Sequence, residues 1–465
     1  MRKLPRYELG YDNLTGVAAF RHLFALVATF ALACLLGSAR EAAAVPSFAQ
    51  QTGQPCATCH VGAFGPQLKA YGRDFKLRGY TASDGKPWRP PIAATIQTSF
   101  THTQSAQSGG AARWFAPNDN FAVDQVSVYY AGRILPNLGA FIQTTYDGVT
   151  RTLQIDNVDI RYAREFSFGD SDYVGGLTVN NSPTVSDLWN STPVWGFPYN
   201  QSALAPTPVA TALIDGQLGQ RVAGLGIYGL FADWIYAEVG LYRGLGREVL
   251  NATGIVPVSG AIRIEGLVPY WRFAVQHDWD RHMFEVGTYG LHAEVFPNGD
   301  RSAGATDKYT DIAFDANYQF VLDPDHVTSD MLSAHATLIT ERQTLDASRI
   351  LSGSNPTGTL TTFKADLSYS FGATITPSVQ YFSTWGSSNV NFYTSPGGPT
   401  IYKPNSSGVV AEIAYVPFGK PDSPIQWGNI RLAAQYVAYT QYNGVRSGAS
   451  NNNALFLSVW LATHF

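Results

Sequence analysis

The sequence predicts an all-β fold, an outer-membrane-type β-barrel of about 16 strands that carries a small N-terminal module. Two observations predict this fold. Beyond residue 93, segments of some ten residues alternate apolar and polar side chains, and the connections between these segments are alternately long and short. Alternation at period two is typical of strands with one apolar face, and alternating connections are typical of barrels that span an outer membrane.

The composition excludes several classes of protein. Of the 465 residues only 14% are charged, and the net charge is -4, which gives no basic surface for nucleic acid. Hydrophobic residues make up 45% of the chain. Beyond residue 40, however, no apolar run approaches the roughly 18 to 20 residues that a membrane-spanning helix needs. A membrane protein with this sequence must therefore cross with strands.

Residues 1–44 have the pattern of an export signal. The apolar stretch from Leu23 to Gly37 follows Arg21 and precedes a run of alanines that ends at Ala44, where we expect cleavage. A short membrane anchor is the alternative, but the stretch is too short to span comfortably. Cleavage removes Cys34, so the mature chain keeps Cys56 and Cys59 as its cysteines.

The strands are predicted from the alternation. From Phe363 to Phe371, for example, Phe, Ala, Leu, Tyr and Phe share one face, while Lys, Asp and two Ser share the other. Strands are predicted to start near residues 93, 120, 138, 152, 171, 219, 233, 263, 281, 306, 329, 359, 374, 407, 429 and 454. Long connections are expected at 104–119, 180–218, 244–262, 296–305, 343–358, 387–406 and 442–453, and the short link near Gly148 departs from the alternation. An even strand number places both ends of the barrel at the rim with the short turns.

A soluble all-β protein would also alternate. Two features favour the membrane barrel. Tyr, Phe and Trp are frequent near the ends of the predicted strands, as in interfacial aromatic girdles. The last strand ends at Phe465, which resembles the assembly signal of bacterial outer-membrane proteins.

The chemistry of the chain is concentrated in Cys56-Ala57-Thr58-Cys59-His60. In Cys-x-x-Cys-His, two thiols add to the vinyl groups of one haem and the histidine reaches its iron, so we expect Cys56 and Cys59 as thioethers and His60 as proximal ligand. Three alternatives fit less well. A structural zinc site has four ligands, and only three are present here. A thioredoxin-like redox couple needs a βαβ context, which this segment lacks. A disulfide between the two cysteines would give His60 no role.

The segment resembles a known family. The stretches from Val45 to Gly53, from Cys56 to His60 and from Tyr71 to Tyr80 are similar to the head of the outer-membrane fused monohaem cytochrome-porins, which include iron oxidases of iron-oxidising bacteria. Residues 180–199 also resemble sequences of this family, while Gln50 stands where its members have arginine. The resemblance implies residues 45–92 as a monohaem cytochrome module and 93–465 as a porin-like barrel.

The distal haem ligand is left open by the sequence. Lys69, Lys76, water and a residue of the barrel are the candidates, because the module has no Met and no His other than His60. By parity, Met331 lies on the lumen face near the short-turn rim, and a thioether sulfur raises the potential of haem iron. A plain wall residue is the alternative for Met331. His102 ranks below it, because it shares a face with Ile96 and Phe100.

The remaining polar residues specify no catalytic site. The predicted lumen face is polar and mixed in sign, with Arg133, Asp159, Arg161, His335, Glu341, Lys364, Asp366 and Arg431. Residues 277–282 and 323–326 place carboxylates beside imidazoles, which is a weak pattern for a metal site at turns. The long connection 180–218, with Trp189 and Trp195, is predicted to fold into the barrel mouth and narrow it.

Together with the resemblance, these features imply an electron conduit in the outer membrane. We expect one covalent haem c, which lies in the lumen or at its periplasmic side. The haem takes electrons from an extracellular donor, for which Fe(II) is the favoured candidate, and passes them to a periplasmic c-type cytochrome or another carrier. The alternatives are a porin whose haem is a structural plug or redox gate, and the same conduit with a different donor.

Overall fold

A computed structural model describes residues 46–169, 171–254, 263–393, 402–425 and 427–464. Within these ranges, seventeen strands form one antiparallel sheet that closes on itself. The strands are β1 (Ile92–Thr103), β2 (Asn120–Leu135), β3 (Leu138–Asp147), β4 (Thr152–Phe168), β5 (Ser171–Asn180), β6 (Val222–Phe231), β7 (Ile235–Gly244), β8 (Arg263–Glu265), β9 (Leu267–Trp279), β10 (His282–Phe296), β11 (Asp307–Val321), β12 (Met331–Leu345), β13 (Thr357–Ser370), β14 (Ile375–Gly386), β15 (Ser406–Tyr415), β16 (Gly428–Gln441) and β17 (Ala454–His464). The predicted signal, residues 1–44, and Phe465 lie outside the described residues.

The sheet closes between its first and last strands. β1 pairs with β2 on one side and with β17 on the other, where Ala93 lies opposite His464. The strand predicted near residue 263 is divided into β8 and β9 at Gly266, whose φ of +69° favours glycine. Counted together, β8 and β9 give the even number predicted for the wall, so both ends of the barrel lie at one rim.

The wall alternates as predicted. In β15, Glu412 and Ala414 are buried, whereas Ile413 and Tyr415, which alternate with them, are about half exposed. The outer face elsewhere is apolar and exposed, for example at Leu225, Ile227, Val239, Leu241, Val286 and Phe314. An apolar outer face on a closed barrel is the surface that lipid covers, so the protein has the architecture of an outer-membrane barrel.

The two rims differ. Connections at the short-turn rim link β2 to β3, β4 to β5, β6 to β7, β9 to β10, β11 to β12, β13 to β14 and β15 to β16. The opposite rim, the long-loop rim, carries the long connections, and the hairpin at 148–151 is its short exception, as predicted. Two connections predicted to be short are longer than the other turns at this rim, residues 322–330 between β11 and β12 and residues 416–427 between β15 and β16.

Five short α-helices accompany the barrel in the part of the chain that the structure describes. They are α1 (Pro46–Thr52), α2 (Cys56–Cys59), α3 (Ala70–Leu77), α4 (Arg247–Ala252) and α5 (Asp346–Ser352). No helix among the described residues is both long and apolar enough to cross a membrane. The first three helices belong to residues 46–91, the N-terminal module.

The N-terminal module lies in the lumen at the short-turn rim. Phe48 of α1 packs on Phe75 of α3, with ring centroids 5.0 Å apart, and on Phe141 of β3 at 6.4 Å. The Tyr80 hydroxyl donates to Asp159 of β4 at 2.7 Å. The wall thus completes a core that a segment of this length is too small to build alone, as the sequence predicts.

A second segment, residues 181–221, also lies inside the barrel. We call it the inner segment. Its Leu213, Ile214 and Leu218 pack in one buried cluster with lumen-facing Tyr242 and Ile339. Trp195 packs on Phe141 at 5.9 Å, beside the module. The connection predicted to enter the barrel mouth therefore does enter the lumen, where it meets the module.

Candidate haem-binding site

The two cysteines are placed by a single helical turn. Helix α2 begins at Cys56 and ends at Cys59, and the backbone N–H of His60 donates to the Cys56 carbonyl at 2.9 Å. Residues three apart lie on the same side of a helix, so both thiols face one side. Burial raises the pKa of the Cys59 thiol to about 12 and raises that of Cys56 further, so both are protonated at neutral pH.

His60 has the environment of an axial ligand. Its Nδ1 lies 3.3 Å from the Gln67 carbonyl oxygen. Burial lowers its pKa to about 4, so the ring is neutral. Because a carbonyl can only accept, Nδ1 carries the proton and Nε2 keeps its lone pair. The hydrogen bond from Nδ1 fixes the tautomer and the ring orientation that metal-bound histidines need.

The wall closes around Cys56. Asn429, near the start of β16, donates from Nδ2 to the Cys56 Sγ at 3.3 Å and to the Ala63 carbonyl at 2.7 Å. The Ala57 N–H donates to the Gly419 carbonyl at 3.0 Å. A side chain at Gly419 would bring its Cβ within 2.9 Å of the Cys56 Sγ, so the wall approaches the thiol closely there.

The three residues fit a c-type haem in chemistry and spacing, but they differ in access. Cys59 and His60 are partly exposed. Cys56 is 0% exposed, and its sulfur is in contact with Asn429. The wall therefore covers the Cys56 sulfur, whereas Cys59 and His60 are only partly covered.

The two lysine candidates for the distal position already have acceptors. Lys69 Nζ donates to the carbonyls of Ala57 at 3.0 Å and Val327 at 2.9 Å, and burial lowers its pKa to about 8. Lys76 Nζ donates to the Val185 carbonyl and to Asn190 Oδ1, both at 2.7 Å, and burial lowers its pKa to about 7. Both amines serve to fasten the module to its surroundings.

Met331 lies where parity predicts. It is the first residue of β12, only 2% exposed, and belongs to a buried cluster on the lumen side at the short-turn rim. The same cluster contains Val61, which follows His60, and Met283 of β10. The structure therefore brings two methionines into the apolar surroundings of the module, and ligation by Met331 stays a prediction.

The inner segment binds both the module and the wall. Asn190 Nδ2 donates to the Pro66 carbonyl at 2.8 Å, and the Tyr199 hydroxyl donates to Gln67 Oε1 at 3.0 Å. Further along, Lys364 of β13 donates to Asp215 at 3.0 Å, and Gln435 of β16 donates to the Asn200 carbonyl at 3.1 Å. The inner segment thus contacts the wall at β13 and β16, which are three strands apart in the sheet, as well as the module.

Ion pairs hold these parts together. Arg272 of β9 lies 3.1 Å from Asp187 of the inner segment, 3.1 Å from Glu285 and 2.9 Å from Asp315. Arg73 of α3 pairs with Asp278 at 2.7 Å. Residues predicted for the lumen face form similar ion pairs, Arg161 with Asp159, His335 with Asp366 and Arg431 with Glu412. The backbone N–H of Arg133 donates a hydrogen bond to Gln51 Oε1 of the module.

Sequence reasoning missed Asn429, Gly419 and Arg272 as residues of this site. Parity could have placed Asn429 and Arg272 on the lumen face, since the alternation of β16 and β9 is regular. No local signal shows that Asn429 meets a cysteine 373 residues away along the chain.

The two weak metal patterns do not form metal sites. His277 and His282 lie on the outer face of the barrel, where they stack with Trp234 and Trp279 in a row of rings at the short-turn rim. His326 and Asp323 form an exposed pair at 2.8 Å. Within the described ranges, no group of three or more His, Cys, Asp or Glu side chains could hold a metal ion. His102 also points outward and pairs with Asp119.

Among three comparisons with known proteins, only the one with solved structures finds similar proteins, which are outer-membrane proteins. No protein-family model matches the chain, and no curated protein matches its sequence. Among solved structures it is similar to the anion-selective porin from Comamonas acidovorans, with TM-score 0.45 and 10% identity over 80% of this chain and 98% of that chain. It is also similar to Salmonella typhi OmpF in complex with daunomycin, with TM-score 0.44 and 11% identity over 80% and 97% of the two chains. A third similar structure is outer-membrane expressed OmpT of Vibrio cholerae, with TM-score 0.42 and 10% identity over 80% and 97%. Likenesses at this level carry no argument about function, and the barrel is established by its own strand pairing.

Proposed function

We propose that this outer-membrane barrel is a cytochrome-porin, which takes electrons from an extracellular donor and passes them to periplasmic carriers. Fe(II) is the favoured donor. One haem c would be held by Cys56, Cys59 and His60. When bound, it supplies the one-electron cycle between ferrous and ferric iron. In barrels of this architecture the short turns are periplasmic, which supports a position of the module at the periplasmic side of the lumen.

The observation that carries this proposal is the state of His60. Its Nδ1 is directed at the Gln67 carbonyl and its Nε2 is left with a lone pair, directly after a helical turn that aligns two thiols. A disulfide or a buried structural cysteine pair needs no such histidine. Gln67 is itself bonded by Tyr199, so the inner segment helps to hold the turn that orients the ring.

The filled lumen supports a conduit more than a diffusion pore. The module and the inner segment together bond to β4, β9, β13 and β16 across the barrel. A redox plug held by the wall can pass electrons while restricting the passage of solutes. Iron oxidised in the mouth of the barrel would also stay outside the cell.

The test is reduction of the purified, haem-loaded protein under anaerobic conditions. We expect the reduced haem spectrum after addition of Fe(II) and also after dithionite, and transfer of those electrons to an added soluble c-type cytochrome. Haem that only dithionite reduces, together with solute flux through protein-loaded liposomes, would instead identify a porin with a structural haem. A protein matured with haem-attachment machinery that contains no covalent haem would contradict the proposal as a whole.

A further inference from the structure

Two buried carboxyl groups lie side by side on the lumen wall. Asp311 of β11 and Glu341 of β12 are direct partners in the sheet, both face the lumen, and they are 1% and 2% exposed. Their carboxyl groups are in hydrogen-bond contact. Since a carboxylate oxygen can only accept, this contact needs one proton between the two groups. Like charges so close together and away from water are not both kept, so the pair holds one proton.

The same pair binds the inner segment. Glu341 Oε2 accepts from the Leu213 backbone N–H at 2.6 Å, and Asp311 Oδ2 accepts from the Ile214 N–H at 2.7 Å. Gln343 donates to Glu341 Oε1 at 2.6 Å. The remaining oxygen, Asp311 Oδ1, is buried and receives no N–H or hydroxyl hydrogen bond within the described chain. The proton that Asp311 shares with Glu341 satisfies this oxygen.

No cation neutralises the pair. Among the described residues, no Lys, Arg or His forms an ion pair with Asp311 or Glu341, and the nearby cation, Lys364, is paired with Asp215 at 3.0 Å. The titratable groups that face the pair are Asp307 and Tyr309 on β11, Tyr289 on β10, Lys364 on β13, Asp215 of the inner segment and Tyr393 between β14 and β15. A second negative charge on the pair would therefore be opposed by like charges and not by a partner.

We propose that the shared proton closes a latch. With the proton in place, Asp311 and Glu341 hold the Leu213–Ile214 backbone and keep the inner segment in the lumen. In alkali the O–H bond breaks, its electron pair stays on the carboxylate oxygen, and water or buffer base takes the proton. Two facing carboxylates then repel each other and gain hydration by leaving the buried site, so the segment is released and ions can pass. This regulation goes beyond the proposed redox function and does not depend on haem.

The pH dependence of the latch has a defined sign. The latched form holds one proton more than the released form, in which both carboxyl groups are hydrated and ionised. A form that binds more protons loses population as the pH rises, so the latch is complete in acid and is lost in alkali. For one proton, the ratio of released to latched protein rises at most about tenfold per pH unit.

The first experiment measures conductance and the position of the inner segment on the same preparation. The mature protein is inserted into planar bilayers, and its ion conductance is followed from about pH 6 to about pH 10, the range in which a shared carboxyl proton is lost. We expect little conductance in acid, a reversible rise of at least about tenfold in alkali, and parallel protease cleavage within 184–217 in detergent. A conductance that does not depend on pH, or that rises without cleavage there, would overturn the proposal.

Substitutions at Asp311 separate the proton from the side chain that carries it. Asp311→Asn keeps an oxygen for the Ile214 N–H, and its amide N–H can donate to Glu341 where the shared proton was. This variant should stay closed in acid and in alkali. Asp311→Ala leaves the Ile214 N–H without its acceptor and should conduct already in acid. The two variants are thus expected to differ from the parent in opposite directions.

Asp124→Asn is the matched control. Asp124 of β2 is also a buried lumen carboxyl group with one unpartnered oxygen, but it binds Ser99 and not the inner segment. This variant should keep the parent's pH profile. The change of electrophoretic mobility on heating shows for every variant that the barrel has folded. A parent-like pH profile in folded Asp311→Asn, or a folded Asp311→Ala that is closed in acid, would contradict the latch.

Discussion

At the scale of single residues, one hydrogen bond gives His60 the tautomer and the orientation that its predicted role requires. The Gln67 carbonyl accepts from Nδ1, and Gly65 packs against the ring, where a Cβ would lie 3.3 Å from Cε1. The imidazole is thereby held in one tautomer and one orientation. Residues around an axial ligand tune its basicity as much as its position, so the Gln67 turn is part of the site.

The first prediction concerns His60 itself. In His60→Ala the haem should remain attached through Cys56 and Cys59, while the visible spectrum loses its histidine-ligated low-spin form, because the proximal nitrogen is gone. Added imidazole should restore that spectrum. His102→Ala is the control, since His102 is exposed on the outer face near the long-loop rim. An unchanged spectrum in His60→Ala would show that another residue binds the iron.

The second prediction concerns the distal ligand. Met331 and Met283 share one buried cluster near the module, which makes them a matched pair. If Met331 binds the iron, Met331→Leu should lower the reduction potential by about 0.1 V or more, a fraction of the range of about 0.8 V that axial ligands span. Met283→Leu should leave it unchanged. A potential and visible spectrum unaltered by Met331→Leu would exclude this ligand.

At the scale of elements, the inner segment depends on buried charge. Arg272 of β9 bridges Asp187 of the inner segment to Glu285 and Asp315 of the wall, and all four side chains are at most 1% exposed. Such a cluster gains little over apolar packing, yet losing its cation leaves carboxylates buried without their counter-charge. Arg272 is therefore one of the contacts that position the inner segment, and its loss leaves buried carboxylates without a cation.

The third prediction follows from that dependence. Arg272→Met should lower the free energy of unfolding by about 3 to 5 kcal/mol, and should make the inner segment sensitive to protease in otherwise folded protein. Urea unfolding in detergent, followed by tryptophan fluorescence, measures the first effect. Arg301→Met is the control, because the Arg301–Glu265 pair is about half exposed and should change stability by less than about 1 kcal/mol. Equal effects of the two substitutions would contradict the argument.

At the scale of the whole molecule, two segments of the described chain share the lumen. The module enters at the short-turn rim, and the inner segment descends from the long-loop rim to meet it, where Lys76 of α3 binds Val185 and Asn190. Each segment is too small to form a hydrophobic core of its own, and side chains of the wall complete the core of each. The barrel is thus both the membrane-spanning part and the scaffold that completes the core of the N-terminal module.

The fourth prediction tests this arrangement. Replacing residues 184–217 by a short Gly/Ser linker should open the barrel, giving ion conductance in planar bilayers where the parent protein gives little, and should speed the access of hydrophilic reductants to the haem. Shortening 298–304, an exposed loop at the same rim, is the control and should change neither property. Unchanged conductance and access after the deletion would show that the inner segment does not obstruct the lumen.

What could be predicted from the sequence was what depends on local spacing. Alternation at period two gives the strands and their lumen faces, so Asp159, Glu341 and Met331 were placed correctly. Cys-x-x-Cys-His gives the helical turn and the adjacent imidazole, because the relevant atoms are within five residues of one another. The division at Gly266 and the length of the β11–β12 and β15–β16 connections were missed, since neither a single glycine nor a short polar stretch marks where a strand of the wall ends.

The tertiary structure alone decided which parts of the chain meet. Parity assigns a face to a residue but gives neither its depth nor its partner, so nothing local joins Asn429 to Cys56 or Arg272 to Asp187. The sequence by itself determined a barrel and a haem-binding pattern. Only closure of the sheet brought the last strands around the first helices, and this closure makes one thiol accessible and the other enclosed.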